Sequence, residues 1–352
     1  MSPAEVRQSF QQQAKACRDL GSPFTSRLCT LLAERLDETT AVGSTILAWR
    51  GNPTATGDAV ALRLASALHG LVLSGLAPEL GSAYPPHEVD TDTLWKVVFT
   101  ALVQHEALIL DRLRSAPQTN EVRRCVALLP GFLTIAALHR MPLVLSEIGA
   151  SAGLNMHWDR FHYRLGGFEW GARDAAVRFE PDWQGPRPPT ADVSVADRAA
   201  CDLNPLDPRQ EQDRIRLTSY IWADQTDRLD RTREALKIAA SSGVVVEQAD
   251  AVEWLEQRLA SPHPGVVHTI YHTIAWQYLP DALKDRGNAI IEDAGRRATE
   301  RAPLARLQFE ADGNRPGAAI SLQIWPSGKR HELGRADFHG RWVHWKGWPG
   351  DL

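Results

Sequence analysis

From Val6 to about residue 140 the apolar positions recur every three to four residues; beyond it they form short blocks or alternate. The first pattern predicts helices throughout. Val6 and Phe10 begin one helix, and Phe24, Leu28, Leu31, Leu32 and Leu36 stripe a second. Leu62, Leu64, Leu68, Leu71 and Leu73 mark a third, with Asp58 placed as its cap. A Pro/Gly-rich loop, residues 77–86, interrupts. Leu94, Val98, Ala101, Leu102, Leu108 and Leu113 predict one long helix, with His105 beside its apolar stripe. Thr119 or Asn120 suits the N-cap of a last helix running to His139.

The second pattern begins with Leu143 to Leu145, an apolar block of the kind a buried parallel strand needs. After a small-residue turn, Met156, Phe161 and Tyr163 are spaced for one side of a helix. Phe168–Trp170 and Val177–Phe179 predict an inserted hairpin near residues 164–190. Ala199–Cys201 is a strand end, followed by a helix over about 208–239. Val244–Val246 is β-branched and ends in Gln248-Ala249-Asp250; Val252, Leu255 and Leu259 mark the next helix. A strand over 265–271, a helix over 281–301 and a strand at Leu304–Glu310 follow. Ala318–Trp325 and Lys329–Trp345 alternate about Pro326-Ser327-Gly328 and predict a terminal antiparallel pair. Repeated strand–helix units imply an α/β fold with a Rossmann-like, mostly parallel, doubly wound sheet. The expected organisation is an all-helical cap, residues 1–140, on a sheet domain, residues 141–352.

Length supports this division, since 352 residues suit two domains or one with a cap. A 43% hydrophobic share is ample for a core. A net charge of −4 and the lack of any basic run point away from nucleic acid and anionic membranes. The longest apolar run, Cys125 to Leu138, is broken by Pro130 and Gly131 and is short for a bilayer span. Cys17, Cys29, Cys125 and Cys201 are scattered, as in reduced core thiols of a cytoplasmic protein. The N-terminus has no signal-peptide pattern, and nothing fixes an oligomeric state.

The chemistry concentrates at Met141–Phe161, where strand, turn and helix follow one another. Glu147 stands at the strand's end, and Gly149, Ser151 and Gly153 follow in steps of two. Small residues let a ligand lie against backbone, and a helix start offers N–H groups. Read as acid-x-Gly-x-Ser-x-Gly, this stretch resembles the first motif of class I S-adenosylmethionine-dependent methyltransferases. In those enzymes the turn passes under the methionine part of the cofactor, and a closing antiparallel hairpin departs from the parallel sheet. Read as G-x-S-x-G, the same residues match the nucleophile elbow of serine hydrolases, with Ser151 attacking. That alternative needs an acid and a histidine downstream, for which Asp250 or Asp293 with His331 or His339 are available. It also needs strands before the elbow, where this chain has helices. The dinucleotide pattern G-x-G-x-x-G is missing.

In a doubly wound sheet the ligand crosses the carboxyl ends of the strands at the switch point. Glu147, Asp202 and Asp250 stand at three expected strand ends. The methyltransferase resemblance implies that Glu147 lies near the methionine moiety, Asp202 near the ribose hydroxyls and Asp250 near the adenine amino group. Gly149, Ser151, Gly153 and Asn155 would line the cofactor. His272, with Tyr271 beside it, is the candidate general base at the fourth strand's edge. Gln118, Asn120 and Glu121, with Trp276, are expected to close a substrate pocket. His268 and His272 are four apart, which on a strand spans ~13 Å and is too far to share a metal.

PQTNEVRR (Pro117–Arg124), LSEIGASAGLN (Leu145–Asn155), CDLNPLDP (Cys201–Pro208) and VVHTIYHTIAWQYLP (Val266–Pro280) together resemble the bacterial family called domain of unknown function 2332. That resemblance implies a cytosolic bacterial protein with a methyltransferase-like fold. The expected activity is methyl transfer from S-adenosylmethionine to a small molecule. A non-catalytic nucleotide or small-molecule binder on the same fold is the further alternative. Ser151 departs from the glycine many methyltransferases have there.

Overall fold

The computed structural model describes residues 2–350. Helices α1 (Pro3–Asp19), α2 (Pro23–Arg35), α3 (Ala41–Leu47), α4 (Val60–Leu73), α5 (Pro78–Gly81), α6 (Thr91–Gln104) and α7 (Glu106–Leu113) come first. Next are α8 (Cys125–His139), β1 (Leu143–Ile148), β2 (His162–Leu165), β3 (Phe168–Trp170), β4 (Arg178–Phe179), β5 (Asp182–Gln184) and β6 (Val195–Asp202). Then follow α9 (Glu211–Ser219), α10 (Thr226–Ser242), β7 (Val246–Gln248), α11 (Ala251–Arg258) and β8 (Val267–Thr273). The last elements are α12 (Asp281–Arg297), β9 (Leu304–Glu310), β10 (Ala318–Trp325), β11 (Lys329–Ala336) and β12 (Trp342–Trp345).

The chain forms two compact units. One holds the described residues up to Thr119 together with Gln210–Arg233; the other holds Asn120–Arg209 and the described residues from Glu234 onward. The division therefore falls at Thr119/Asn120 and not near residue 140. Helix α8 belongs with the sheet because Gly131 lets it approach so closely that a β-carbon there would sit 2.4 Å from a Leu307 methyl. The later segment belongs with the helices through non-local bonds. Asp224 accepts from the Ser22 hydroxyl and, at 2.8 Å, from the Phe24 N–H at the start of α2. His69 on α4 meets the Ser219 carbonyl at 3.2 Å.

Within the helical unit, Ser2 and Glu5 form a capping box on α1. Leu28, Leu32, Leu64, Leu68, Leu94 and Leu102 meet in one core. The expected single helix from Leu94 to Leu113 is two helices bent by 86° at His105. The bend brings Ile109 and Leu113 into the core that buries Leu94 and Val98, which a straight rod would carry past it. The expected helix over 208–239 is likewise two, α9 and α10.

In the sheet unit the main sheet runs β5-β12-β11-β10-β9-β8-β1-β6-β7. Strands β7, β6, β1, β8 and β9 are parallel to one another. They follow the 3-2-1-4-5 order of doubly wound sheets, with the switch point between β1 and β8. Strands β9 to β12 form an antiparallel meander, closed by β5 parallel to β12. The terminal pair is thus three strands. Asp337 splits the last one, because its carboxylate accepts from the N–H groups of His339 and Arg341 in a tight turn. The inserted hairpin is also different: β3 and β4 each pair with β2 instead of with each other.

Strand alternation assigns the faces. Glu147, Tyr271 and Leu307 are register partners on the face that α8 covers. Ile148, Cys201 and Ile270 lie on the other, packed with Leu255 of α11 and Ile291 of α12. Among the described residues one unbent helical stretch is long and apolar enough to cross a bilayer, Val122–His139, with mean hydropathy 1.3 and 72% of it buried. It starts as a 3-10 turn at Val122–Arg124 and continues as α8.

Candidate functional site

Three small residues in steps of two after β1 adopt positive φ: Gly149 at 67°, Ser151 at 56° and Gly153 at 71°. The chain reverses here within a few residues, which is why glycine is needed. Most of the N–H groups of this turn are consumed inside the chain. Gly149 and Ala150 donate to the Cys201 carbonyl at 2.9 and 3.1 Å. The Ser151 N–H donates to Asp202 Oδ2 at 2.8 Å, and that of Leu154 to Asn120 Oδ1 at 3.0 Å. A β-carbon on Gly149 would meet the Ala275 methyl at 2.6 Å, and one on Gly153 would meet Val246 at 3.0 Å. Glycine is thus required here by this chain's own packing. The expected helix beyond is a 3-10 segment, Leu154–Arg160, broken at His157, so Phe161 and Tyr163 fall outside it.

Glu147 is 1% exposed. Its carboxyl accepts from the Tyr271 hydroxyl at 3.1 Å. Phe132 of α8 lies edge-on to the Tyr271 ring at 5.2 Å and stacks on Trp158 at 4.3 Å. Burial, reinforced by the Asp202 charge and opposed by the Tyr271 hydrogen bond, pushes the Glu147 carboxyl up to about 8. At neutral pH it is a protonated acid in a core. Burial likewise raises the Tyr271 phenol well above its ordinary value. Nearby, Asn155 Oδ1 accepts from Cys125 Sγ at 3.3 Å, while its Nδ2 is buried without an acceptor.

His272 points the other way from Tyr271, being its neighbour on one strand. It is fully buried and stacks on Trp276 with ring centroids 5.1 Å apart. Its Nδ1 bonds to Glu310 Oε1 at 2.7 Å, and its Nε2 accepts from Arg306 at 3.2–3.3 Å. Burial lowers the imidazole below its ordinary value, which keeps it neutral with Nδ1 carrying the proton. Burial alone would raise the Glu310 carboxyl, but the His272 bond and the N–H groups of Ala275 and Trp276 outweigh it and hold it low. Both ring nitrogens are engaged, so no lone pair faces a substrate in this arrangement. Trp276 lies under Arg306, whose guanidinium carbon is 4.4 Å from its ring. His268, on the same face as His272, bonds to Ser146 Oγ at 2.8 Å.

The carboxyl ends of β6 and β7 differ. Asp202 holds the turn through Ser151 and its own loop through Asn204 N–H at 2.9 Å, and it is only half-buried. Leu203 beside it is 61% exposed. Asp250 caps α11, taking the Val252 and Glu253 N–H groups on Oδ1, and remains partly exposed. Gln248 anchors the same edge through the Leu203 carbonyl at 3.2 Å. Across β1, at the end of β8, Tyr278 is 74% exposed. Glu147 and Asp250 therefore do not share a rim: the first is sealed under α8, and the second is at an open edge.

The family model described as "Uncharacterized protein conserved in bacteria (DUF2332)" matches residues 7–345. The chain belongs to this family. Searches among curated proteins and solved structures give no match.

The remaining expected site residues divide between structural caps and the unit boundary. Asn120 caps the segment after the glycine turn, and Glu121 caps the 3-10 turn before α8 through Arg123 N–H at 3.1 Å. Gln118 lies two residues before the unit boundary, in the helical unit. Ser151 Oγ is buried and has no hydrogen-bond partner, so the nucleophile–base pair of a serine hydrolase is not assembled. No sequence motif singles out Glu310 or Arg124 as site residues. Arg124 donates to the Thr273 and Phe338 carbonyls, both at 3.1 Å, and ties the edge together. Glu310 ends a strand, as Glu147 does, and the same strand-end criterion finds it.

Proposed function

We propose that the sheet unit binds a nucleoside-bearing cofactor at the carboxyl ends of β6 and β7, with S-adenosylmethionine the leading molecule, and that the reaction is methyl transfer to a small molecule. The observation that carries this reading is the edge where two partly exposed carboxylates, Asp202 and Asp250, flank the exposed Leu203. Vicinal hydroxyls suit a carboxylate acceptor, an amino group suits another, and a flat base suits an apolar side chain. The strand order and its switch point support the same place.

The nucleoside end of the cofactor fits these residues. The methionine end does not fit the part the resemblance gives to Glu147 and Gly149, since one is sealed in the core and the other lies against Ala275. This chain's contribution is therefore binding and orientation. No side chain is assigned to proton removal, because His272 is locked by Glu310 and Arg306. The serine-hydrolase reading has less support, lacking a base on Ser151.

Calorimetry with S-adenosylmethionine and S-adenosylhomocysteine tests the proposal. Saturable binding is expected, weakened about tenfold or more by D250N through loss of a charge-assisted bond. Absence of heat up to millimolar ligand would remove the reading.

A further inference from the structure

Helix α7 carries Arg112 in its last turn, and α9 carries Arg216. Both side chains are half-buried in the helical unit. Among the described residues, neither guanidinium has a hydrogen bond or an ion pair to the protein. The Nε of Arg216 is buried with no acceptor at all. Burial, reinforced by the Arg216 charge and opposed by Tyr220, Asp111 and Asp213, holds the Arg112 guanidinium below its ordinary value.

Gly70 of α4 is buried beside Arg112 and Ser219. A β-carbon there would lie 3.9 Å from Arg112 Nη1 and 4.0 Å from the Ser219 hydroxyl. That hydroxyl donates to the Arg216 carbonyl at 2.7 Å and must leave this bond to donate to an oxyanion. A buried charged donor without an acceptor, as the Arg216 Nε is, calls for an ion or ligand. A fork of guanidinium N–H groups matches a tetrahedral oxyanion, and two positive charges balance a dianion.

We propose that Arg112 and Arg216, with the Ser219 hydroxyl over Gly70, form an oxyanion site that takes the phosphate group of a small molecule. This site stands apart from the nucleoside-binding edge, and either can fail without the other. The probe is inorganic phosphate on the full chain, titrated calorimetrically and by thermal unfolding against chloride at equal ionic strength. Saturable binding and a phosphate-specific rise in Tm are expected. R112Q and R216Q should each weaken binding about tenfold or more. Phosphate indistinguishable from chloride on the unaltered chain would overturn the proposal, as would unchanged binding in both variants. Should a Gln variant fail to fold, R112K and R216K decide in the same way, because they keep the charge and lose the two-pronged donor.

Discussion

The turn after β1 and the ends of β6 and β7 carry the same kinds of residue, small ones and acids at strand ends, yet they differ in where their polar groups are spent. At the turn, the N–H groups of Gly149, Ala150, Ser151 and Leu154 are taken by Cys201, Asp202 and Asn120. Glu147 is sealed against Tyr271. At the edge, Asp202 and Asp250 also make internal bonds but stay partly exposed, beside an exposed Leu203. A glycine spacing identifies a tight reversal of the chain. Whether its donors serve a ligand or the protein depends on what the fold brings against them.

The largest expected effect comes from the internal side. Glu310→Ala should destabilise the sheet unit by about 3 kcal/mol or more, because it leaves the buried His272 Nδ1 and the N–H groups of Ala275 and Trp276 without their acceptor. Denaturant unfolding measures it; a change below about 1 kcal/mol would mean the network holds nothing. Gly149→Ala should cost about 2–4 kcal/mol, from a positive φ and a clash with Ala275. An open cradle would tolerate the added methyl with the φ penalty alone.

The third expectation concerns pH. The Glu147 carboxyl is raised from 4.5 to about 8 in the fold, so the folded state holds a proton that the unfolded chain has released. Its stability contribution is complete below pH 4.5 and is lost as pH rises through about 8. The slope approaches about 1.4 kcal/mol per pH unit within that window. Glu147→Gln should flatten it, and an unchanged slope in that variant would place the titration elsewhere. The smallest effect is Ser151→Gly, which relieves a positive φ and removes an unpartnered hydroxyl. It should stabilise by up to about 1 kcal/mol. A nucleophile would instead take all covalent reactivity with it.

Much of the sheet was legible from alternation and blocks of apolar residues. Leu304–Glu310 and Ala318–Trp325 have the bounds that their patterns predict. What escaped was non-local. Nothing near Asp224 in sequence announces that it caps α2, so the transfer of residues 210–233 to the helical unit was invisible. The bend at His105 leaves the apolar stripe intact on both sides and has no glycine or proline to mark it. At the site, strand ends located Glu147, Asp202 and Asp250, but register decides which face each serves. Pairing Glu147 with Tyr271, and so turning both away from His272, requires the alignment of β1 with β8. The local pattern of neither strand contains it.

Amide hydrogen exchange, with and without saturating S-adenosylhomocysteine, tests the contrast most directly. The account predicts that Gly149, Ala150, Ser151 and Leu154 are already protected in the ligand-free chain, and that ligand slows exchange chiefly around residues 202–204 and 248–253. Fast exchange at the turn that becomes slow only when ligand is added would contradict it.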